Sequence, residues 1–335
     1  MDLFLFPEAA SLKNGYGIGV EFAYNKLKPK EEDIVVWYTS EKNIPYLKNN
    51  DVVISRKISK WKRIKNVLKC RPSTELNACD LSFLRGKKFD NIHCDEILFF
   101  HALREIFPHQ HINVRLHNVF ARILERKKLM NISIDPKFHL ILHLCRKSEV
   151  EIMRDKNSTK IFVAQEDCDY YRSMFGKTSD SEVWKYNPQK ANNVFWPIKD
   201  KKLVWFGGLD VHKKSSVEWF VKDVFLPLYE KDPEFEFHVF GRGSSCFNNP
   251  DCNIFGYGFY DGKSKWPMSN CLYINPDTIG GGIKLKLMSL IEDGVPFITT
   301  PFGFEGYNKD LIDNKICHVV ELDRWKEYIE SIFNC

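Results

Sequence analysis

Residues 276–286 read Pro276-Asp-Thr-Ile-Gly-Gly-Gly-Ile-Lys-Leu-Lys286 and run into an apolar stretch that stops at Gly294. Three consecutive glycines at a strand-to-helix junction leave backbone N–H groups bare at the positive end of a helix. Lys284 and Lys286 fall in its first turns, where a cation opposes the helix dipole, so two of them there argue for an anion. That is the chemistry of a diphosphate cradle. Two other strand ends carry related turns. From Phe206-Gly-Gly-Leu-Asp-Val-His-Lys-Lys214, Lys213 or Lys214 reaches a diphosphate as a point charge. In Phe240-Gly-Arg-Gly-Ser244, Arg242 between two glycines suits a nucleobase or ribose. Solvated lysines and a plain turn account for these two loops as well. Asn14-Gly-Tyr-Gly-Ile-Gly19 offers N–H groups to a phosphate or sugar before a helix, but its spacing is not G-x-G-x-x-G, and a tight turn is its other reading.

Other residue types compete for a chemical role. His117 ends a strand, where it either hydrogen-bonds a transferred group or sits satisfied in the core. Asp167-Cys-Asp169 has the D-x-D form that holds a divalent ion through carboxylates, a three-residue match far in sequence from the glycine turn. His139 and His143 share a helix face at i, i+4 but have no third ligand nearby, so a packed or solvated pair is preferred over zinc. His109 and His111 flank a glutamine in a loop. Residues 56–71 hold eight basic residues and no acid, with Ile58, Trp61, Ile64 and Leu68 near helical spacing. Such a helix lies on an anionic bilayer with its tryptophan among the headgroups, or packs its stripe on the core. A nucleic-acid patch is set aside, because no binding module accompanies it.

The elements that must position these groups alternate between strand-like and helix-like runs, the rhythm of α/β proteins. Strands are expected at 3–6, 34–38, 52–55, 92–94, 112–117 and 161–164, and again at 203–206, 235–240, 253–255, 272–275, 297–300 and 318–321. A capping box, Ser215 with Glu218, marks the helix after Gly208. Residues 186–193 are polar, contain a proline and lack periodicity, so they read as a hinge. The expectation is therefore two Rossmann-like domains, 1–190 and 191–335, facing a cleft, with ligands beyond the carboxyl ends of the strands. The 335 residues suffice for two domains, and 44% hydrophobic with 28% charged residues excludes wholesale disorder. Residues 1–200 hold 34 Lys/Arg against 25 Asp/Glu and residues 201–335 hold 15 against 19, so the halves carry +9 and −4 and face different partners. The ten cysteines form no C-x-x-C and fit reduced thiols. The first residues lack a basic segment and break at Pro7, and no apolar run is long enough to span a bilayer, so a cytoplasmic location is expected.

Taken in order, Leu203-Val-Trp-Phe-Gly-Gly208, Phe237-His-Val-Phe-Gly-Arg-Gly243, Gly280-Gly-Gly-Ile-Lys-Leu-Lys286 and Gly294-Val-Pro-Phe-Ile-Thr-Thr-Pro-Phe-Gly-Phe-Glu-Gly-Tyr307 resemble the donor half of GT-B glycosyltransferases of the family 4 type. The first half is similar to the acceptor half in rhythm, in the glycines at 15–19 and in Arg115-Leu-His-Asn118. The resemblance implies retaining transfer of a sugar from a nucleotide diphosphate sugar, without a metal or other cofactor. It implies donor contacts at Gly208, Arg242, Thr278, Gly280, Gly281, Gly282, Ile283, Lys284 and Glu305, with His117, Lys286 and Lys214 as the catalytic set. The acceptor, a growing lipopolysaccharide or capsule-type glycan or another lipid-linked glycan, would meet Gly15, Tyr16 and Gly17, with the enzyme on the inner face of a membrane through 56–71. Two glutamates common in the family fall at Gly281 and Ser289 here, and a common arginine at Leu209, while Lys214 and Lys286 stand where lysines are common. A sugar-nucleotide 2-epimerase and a catalytically idle nucleotide-sugar-binding subunit are the alternatives.

Overall fold

A computed structural model of the chain describes residues 1–9, 15–41, 43–129, 136–176, 180–209, 211–260, 265–279, 281–313 and 315–333. The chain divides into two compact units, Met1–Lys185 and Tyr186–Cys335.

The first unit runs β1 (Leu3–Phe6), α1 (Gly15–Leu27), β2 (Ile34–Thr39), β3 (Val52–Ser55), α2 (Lys60–Leu68), β4 (Ile92–Asp95), α3 (Phe100–Ile106), β5 (Ile112–Leu116), α4 (Phe120–Leu129), α5 (Pro136–Arg154), β6 (Ser158–Phe162), α6 (Gln165–Phe175) and β7 (Ser181–Val183). Its strands form one sheet in the order β3-β2-β1-β4-β5-β6-β7, with every pair parallel. Strands covered on both faces read as unbroken apolar runs. Leu-Phe-Leu-Phe of β1 and Ile-Val-Val-Trp-Tyr-Thr of β2 are buried at every position, whereas the edge strand β3 alternates between half-buried and exposed.

The second unit runs β8 (Lys202–Phe206), α7 (Val211–Phe220), a π-turn over Val221–Phe225, α8 (Leu226–Lys231), β9 (Glu236–Phe240), β10 (Ile254–Gly256), β11 (Leu272–Asn275), α9 (Leu285–Asp293), β12 (Phe297–Thr299), β13 (Cys317–Val319) and α10 (Trp325–Phe333). The order is β10-β9-β8-β11-β12-β13, again parallel. The two units therefore repeat one doubly wound topology. In each, the winding reverses next to the first strand, between β1 and β4 and between β8 and β11, and such sheets bind ligands in the crevice beyond the strand ends at that reversal.

The expected strands are present within one or two residues at most ends, with β6 displaced towards its start at Ser158 and β7 unforeseen. Three local expectations are corrected. Residues 186–193 are no free hinge: Tyr186 is buried, Ala191 N donates to Ile291 O at 3.1 Å and Lys190 pairs with Asp313 at 2.7 Å, so the second unit begins at Tyr186 rather than at 191. Ser215 does not stand at the head of its helix, because α7 already starts at Val211, and Glu218 lies beside Lys214 one turn back, at 3.6 Å. Helix α1 extends back through the glycines of 15–19 rather than starting at Val20. Gly17, Gly19, Val20 and Ala23 bury its inner face, and such packing outweighs poor intrinsic propensity.

Candidate functional site

At the reversal of the second unit the chain leaves β11 through Pro276, Asp277 and Thr278 and enters α9 with Lys284 as the N-cap residue. Lys286 stands in the first turn of α9. Its ammonium lies 4.0 Å from the Asp277 carboxylate and 5.1 Å from the centre of the Trp205 ring of β8. A cation at this helix end works against the dipole. The protein supplies one counter-anion itself, Asp277, whose side chain is 2% exposed. Lys284 is held in a similar way. Its Nζ sits 4.2 Å from the Phe302 ring centre and donates to Gly282 O at 3.1 Å, while Tyr307 donates to its carbonyl at 2.9 Å. Two ammonium groups seated on aromatic faces keep their charge partly shielded from water.

Beneath them lies a buried polar layer at the ends of β11 and β12. Asn275 Nδ2 donates to Thr299 Oγ1 at 2.9 Å, and Thr300 Oγ1 donates to Asp277 O at 2.5 Å and accepts from Gly303 N at 2.8 Å. A Cβ on Gly303 would come within 2.2 Å of Thr299 Oγ1, so only glycine fits over this layer. Asn275 Oδ1 and Asp277 Oδ1 are buried and accept no hydrogen bond among the described residues. Buried acceptors left open are exceptional and mark places where water or a ligand completes the set.

The neighbouring loops meet through backbone. Gly241 has φ 120° and a Cβ there would fall 1.8 Å from Gly207 O, so the turns after β8 and β9 touch at a point only glycine tolerates. Leu209 N donates to Arg242 O at 3.0 Å across the same junction. The Arg242 side chain is exposed. Gly208 is exposed and a Cβ there would meet open space, so packing does not demand a glycine at that position. Thr278, Gly281, Ile283 and Glu305 are half-buried and Gly282 is buried with φ 61°; Glu305 lies on the turn after β12, its N donating to Phe302 O at 3.2 Å. Gly280 lies outside the described residues. Lys214, on α7, is turned to Glu218 of its own helix, and both side chains are about half exposed.

At the reversal of the first unit, Asp95 ends β4, and its Oδ1 lies 3.0 Å from His117 Nε2 and 3.1 Å from Arg115 Nη1. Arg115 Nη2 also donates to Gly19 O at 2.8 Å, tying the first turns of α1 to the end of β5. His117 is therefore oriented by a carboxylate. Glu96 follows with φ 136° and ψ 157°, a region that side-chain-bearing residues avoid, while its carboxylate accepts from Ile97 N at 3.0 Å. Such strain, of order 1–3 kcal/mol, persists where surrounding structure fixes it and gathers at functional sites. Gly15 and Tyr16 open α1 and Gly17 is buried in it. The residues that sequence reasoning passed over are Asp95, Glu96 and Asp277. The two acids after the strand at 92–94 were a visible signal, and Asp277 lay inside the glycine motif without a role.

The residues of the rival metal motifs contact other side chains of the protein. Asp167 Oδ1 receives Arg122 Nη1 at 2.6 Å in a buried pair, while Asp169 is exposed beside Gln165 and Arg172. His143 Nε2 lies 3.0 Å from His139 Nε2, with Lys127 on the far nitrogen of His139 at 3.0 Å. His111 pairs with Thr159 at 2.9 Å. Among the described residues no group of three His, Cys, Asp or Glu side chains is placed to hold a metal ion.

No protein-family model matches the chain, and no curated protein matches it in sequence. Solved structures do match it in three dimensions. WaaG, a glycosyltransferase involved in lipopolysaccharide biosynthesis, superimposes with a TM-score of 0.60 over 99% of this chain and 89% of its own, at 11% identity. The lipopolysaccharide outer core galactosyltransferase WaaB gives 0.54 over 100% and 88%, at 14% identity. TarM gives 0.51 at 15% identity over 76% of this chain, which covers only 50% of TarM. With its two like-wound parallel sheets and the glycine turns at the reversal of the second, the chain has the fold of the GT-B glycosyltransferases.

Proposed function

We propose that the chain is a glycosyltransferase that moves a hexosyl or related group from a nucleotide diphosphate sugar to a growing cell-surface glycan of lipopolysaccharide or capsule type. The observation that carries this reading is Lys286, held by Asp277 and Trp205 at the mouth of a glycine turn above buried acceptors that find no donor among the described residues. The diphosphate would lie on the N–H groups of Gly281 and Gly282, with Lys284 and Lys286 on its oxygens and Arg242 and Glu305 towards the nucleoside and sugar. Cations fixed where negative charge grows on the leaving group stabilise the transition state without reorganising. The acceptor hydroxyl would attack the anomeric carbon from the face that the diphosphate leaves. The leaving phosphate would take the hydroxyl proton, giving a glycoside with retained configuration and a free nucleoside diphosphate. His117, fixed by Asp95, would hydrogen-bond the transferred sugar, and the acceptor would lie against α1 in the basic first unit. The fold of WaaG and WaaB, both named for lipopolysaccharide work, supports this acceptor class. The reaction as proposed uses no metal and takes place in the cytoplasm.

A thermal-shift screen over nucleoside diphosphates and their sugars tests the reading directly. A ligand at a hundred times its Kd adds about 2.7 kcal/mol to the unit that binds it. Turnover of the sugar identified should survive a chelator. No shift with any nucleotide, or manganese-dependent turnover, would overturn the proposal in its respective part.

A further inference from the structure

Helix α2 is amphipathic the wrong way round for a helix that packs on its own protein. Trp61 is 81% exposed, Leu68 79% and Ile64 49%. At 3.6 residues per turn these three fall within about 60° of arc. The face turned inward is polar: Asn66 is fully buried, and its Nδ2 donates to Glu75 O at 2.8 Å and Ser73 O at 3.3 Å. The helix is fixed at both ends. Ser59 Oγ accepts from Lys62 N, Arg71 N closes on Asn66 O at 3.0 Å, and Lys62 is tied to Asp80. The stripe is therefore held outward by structure. Of the alternatives open in the sequence, packing on the core is excluded for all but Ile58, which is partly buried against it.

The occupant of this face follows from its rim. Lys57, Lys60, Lys65 and Lys69 are exposed around the stripe, and no acid occurs between residues 56 and 71. A protein partner would have to offer an apolar groove ringed by carboxylates. An anionic bilayer offers apolar chains under a continuous layer of phosphates, with the interfacial level that tryptophan prefers. We infer that α2 is a docking surface for an anionic lipid bilayer, with Trp61, Ile64 and Leu68 entering the headgroup boundary and the lysines on lipid phosphates. The inference stands on the first unit alone, and its failure would leave the donor site untouched.

The test is co-sedimentation of the whole chain with vesicles of phosphatidylcholine alone and of phosphatidylcholine with phosphatidylglycerol. Binding is expected only with the anionic lipid. Each lysine near such a surface contributes roughly fivefold to partitioning, so Lys60→Gln, Lys65→Gln and Lys69→Gln together should weaken it about a hundredfold. Added salt should weaken the wild type in the same direction. Trp61→Ser with Leu68→Ser removes the apolar part and should also release the protein; with both groups solvent-facing, circular dichroism and melting should match wild type. Equal sedimentation of variants and wild type would overturn the inference. So would absence of binding to either vesicle, or a dimer in light scattering that Trp61→Ser abolishes while vesicles stay bare.

Discussion

Lys286 has two duties that a pair of substitutions can separate. Its ammonium lies 4.0 Å from the Asp277 carboxylate, which is almost fully buried. At an effective dielectric near 20, unit charges at that distance attract by about 4 kcal/mol. Removing one partner of a buried pair leaves the other charge stranded, at about 3–5 kcal/mol. Lys286 is 18% exposed, so solvent screens part of this and Lys286→Met should cost about 2–3 kcal/mol of stability. Asp277→Asn should cost a similar amount for the mirrored reason. The double variant removes both charges and should recover most of the loss, a coupling that a double-mutant cycle measures. Transfer should not recover, because the cation that stabilises the leaving diphosphate is still missing. The expected loss is about 2–4 kcal/mol in the transition state, or roughly 10²–10³ in kcat. Urea midpoints at constant m-value give the four stabilities, and release of nucleoside diphosphate gives the rates. A double variant as unstable as Lys286→Met would refute the pairing, and one that turns over within about threefold of wild type would remove Lys286 from the chemistry.

Three further outcomes are expected. Asp95→Asn takes away the carboxylate shared by Arg115 and His117, so it should lower the urea-unfolding free energy by about 3 kcal/mol and reduce transfer more than donor affinity; an unchanged midpoint would sink this. Glu96→Gly frees a residue held at φ 136°, so it should raise stability by about 1 kcal/mol while reducing transfer, and a lower melting temperature would mean that the bond to Ile97 outweighs the strain. Burial pushes the Glu149 carboxyl from 4.5 up to about 8, against the N–H groups of Phe120 and Ala121 and the Tyr171 hydroxyl, which favour its charge. A raised carboxyl binds its proton more tightly in the folded state, so its contribution is complete below pH 4.5 and fades as pH rises towards 8, on the order of 5 kcal/mol in all. Glu149→Gln should flatten that fall, and identical slopes of stability against pH in the two proteins would contradict it.

The alternation of strands and helices was legible because parallel strands buried on both faces must be apolar along their whole length, as in 3–6, 34–38 and 203–206. The polar linker was misread because composition reports solvation and not tethering. Ala191 and Phe195 attach to the C-terminal end of α9 through backbone groups that any residue would offer. The start of α1 was hidden for a related reason, since three glycines lower helix propensity while burial of Gly17 and Gly19 raises helix stability. The outward stripe of α2 was also undecidable in sequence: periodicity places Trp61, Ile64 and Leu68 on one face but does not say which way the face turns. The single buried amide of Asn66 settles that, and its partners, the carbonyls of Ser73 and Glu75, carry no side-chain signature.

The residues that escaped the sequence reading share a placement. Asp95 ends the strand beside the reversal in the first unit, and Asp277 lies just beyond the equivalent strand in the second. Each is buried, and each faces basic side chains: Arg115 and His117 in one case, Lys286 in the other. Buried ion pairs add little net stability, since desolvation offsets most of the attraction, and apolar residues of equal volume often do as well. Their repetition at the one position where this topology binds ligands is therefore poorly explained by stability. A carboxylate behind each basic group fixes its direction at the strand ends, the condition for a preorganised anion site. An isolated acid at a strand end carries no motif, so it becomes visible only when the strand order shows that two such acids lie at or just beyond the ends of equivalent strands in two repeats of one fold.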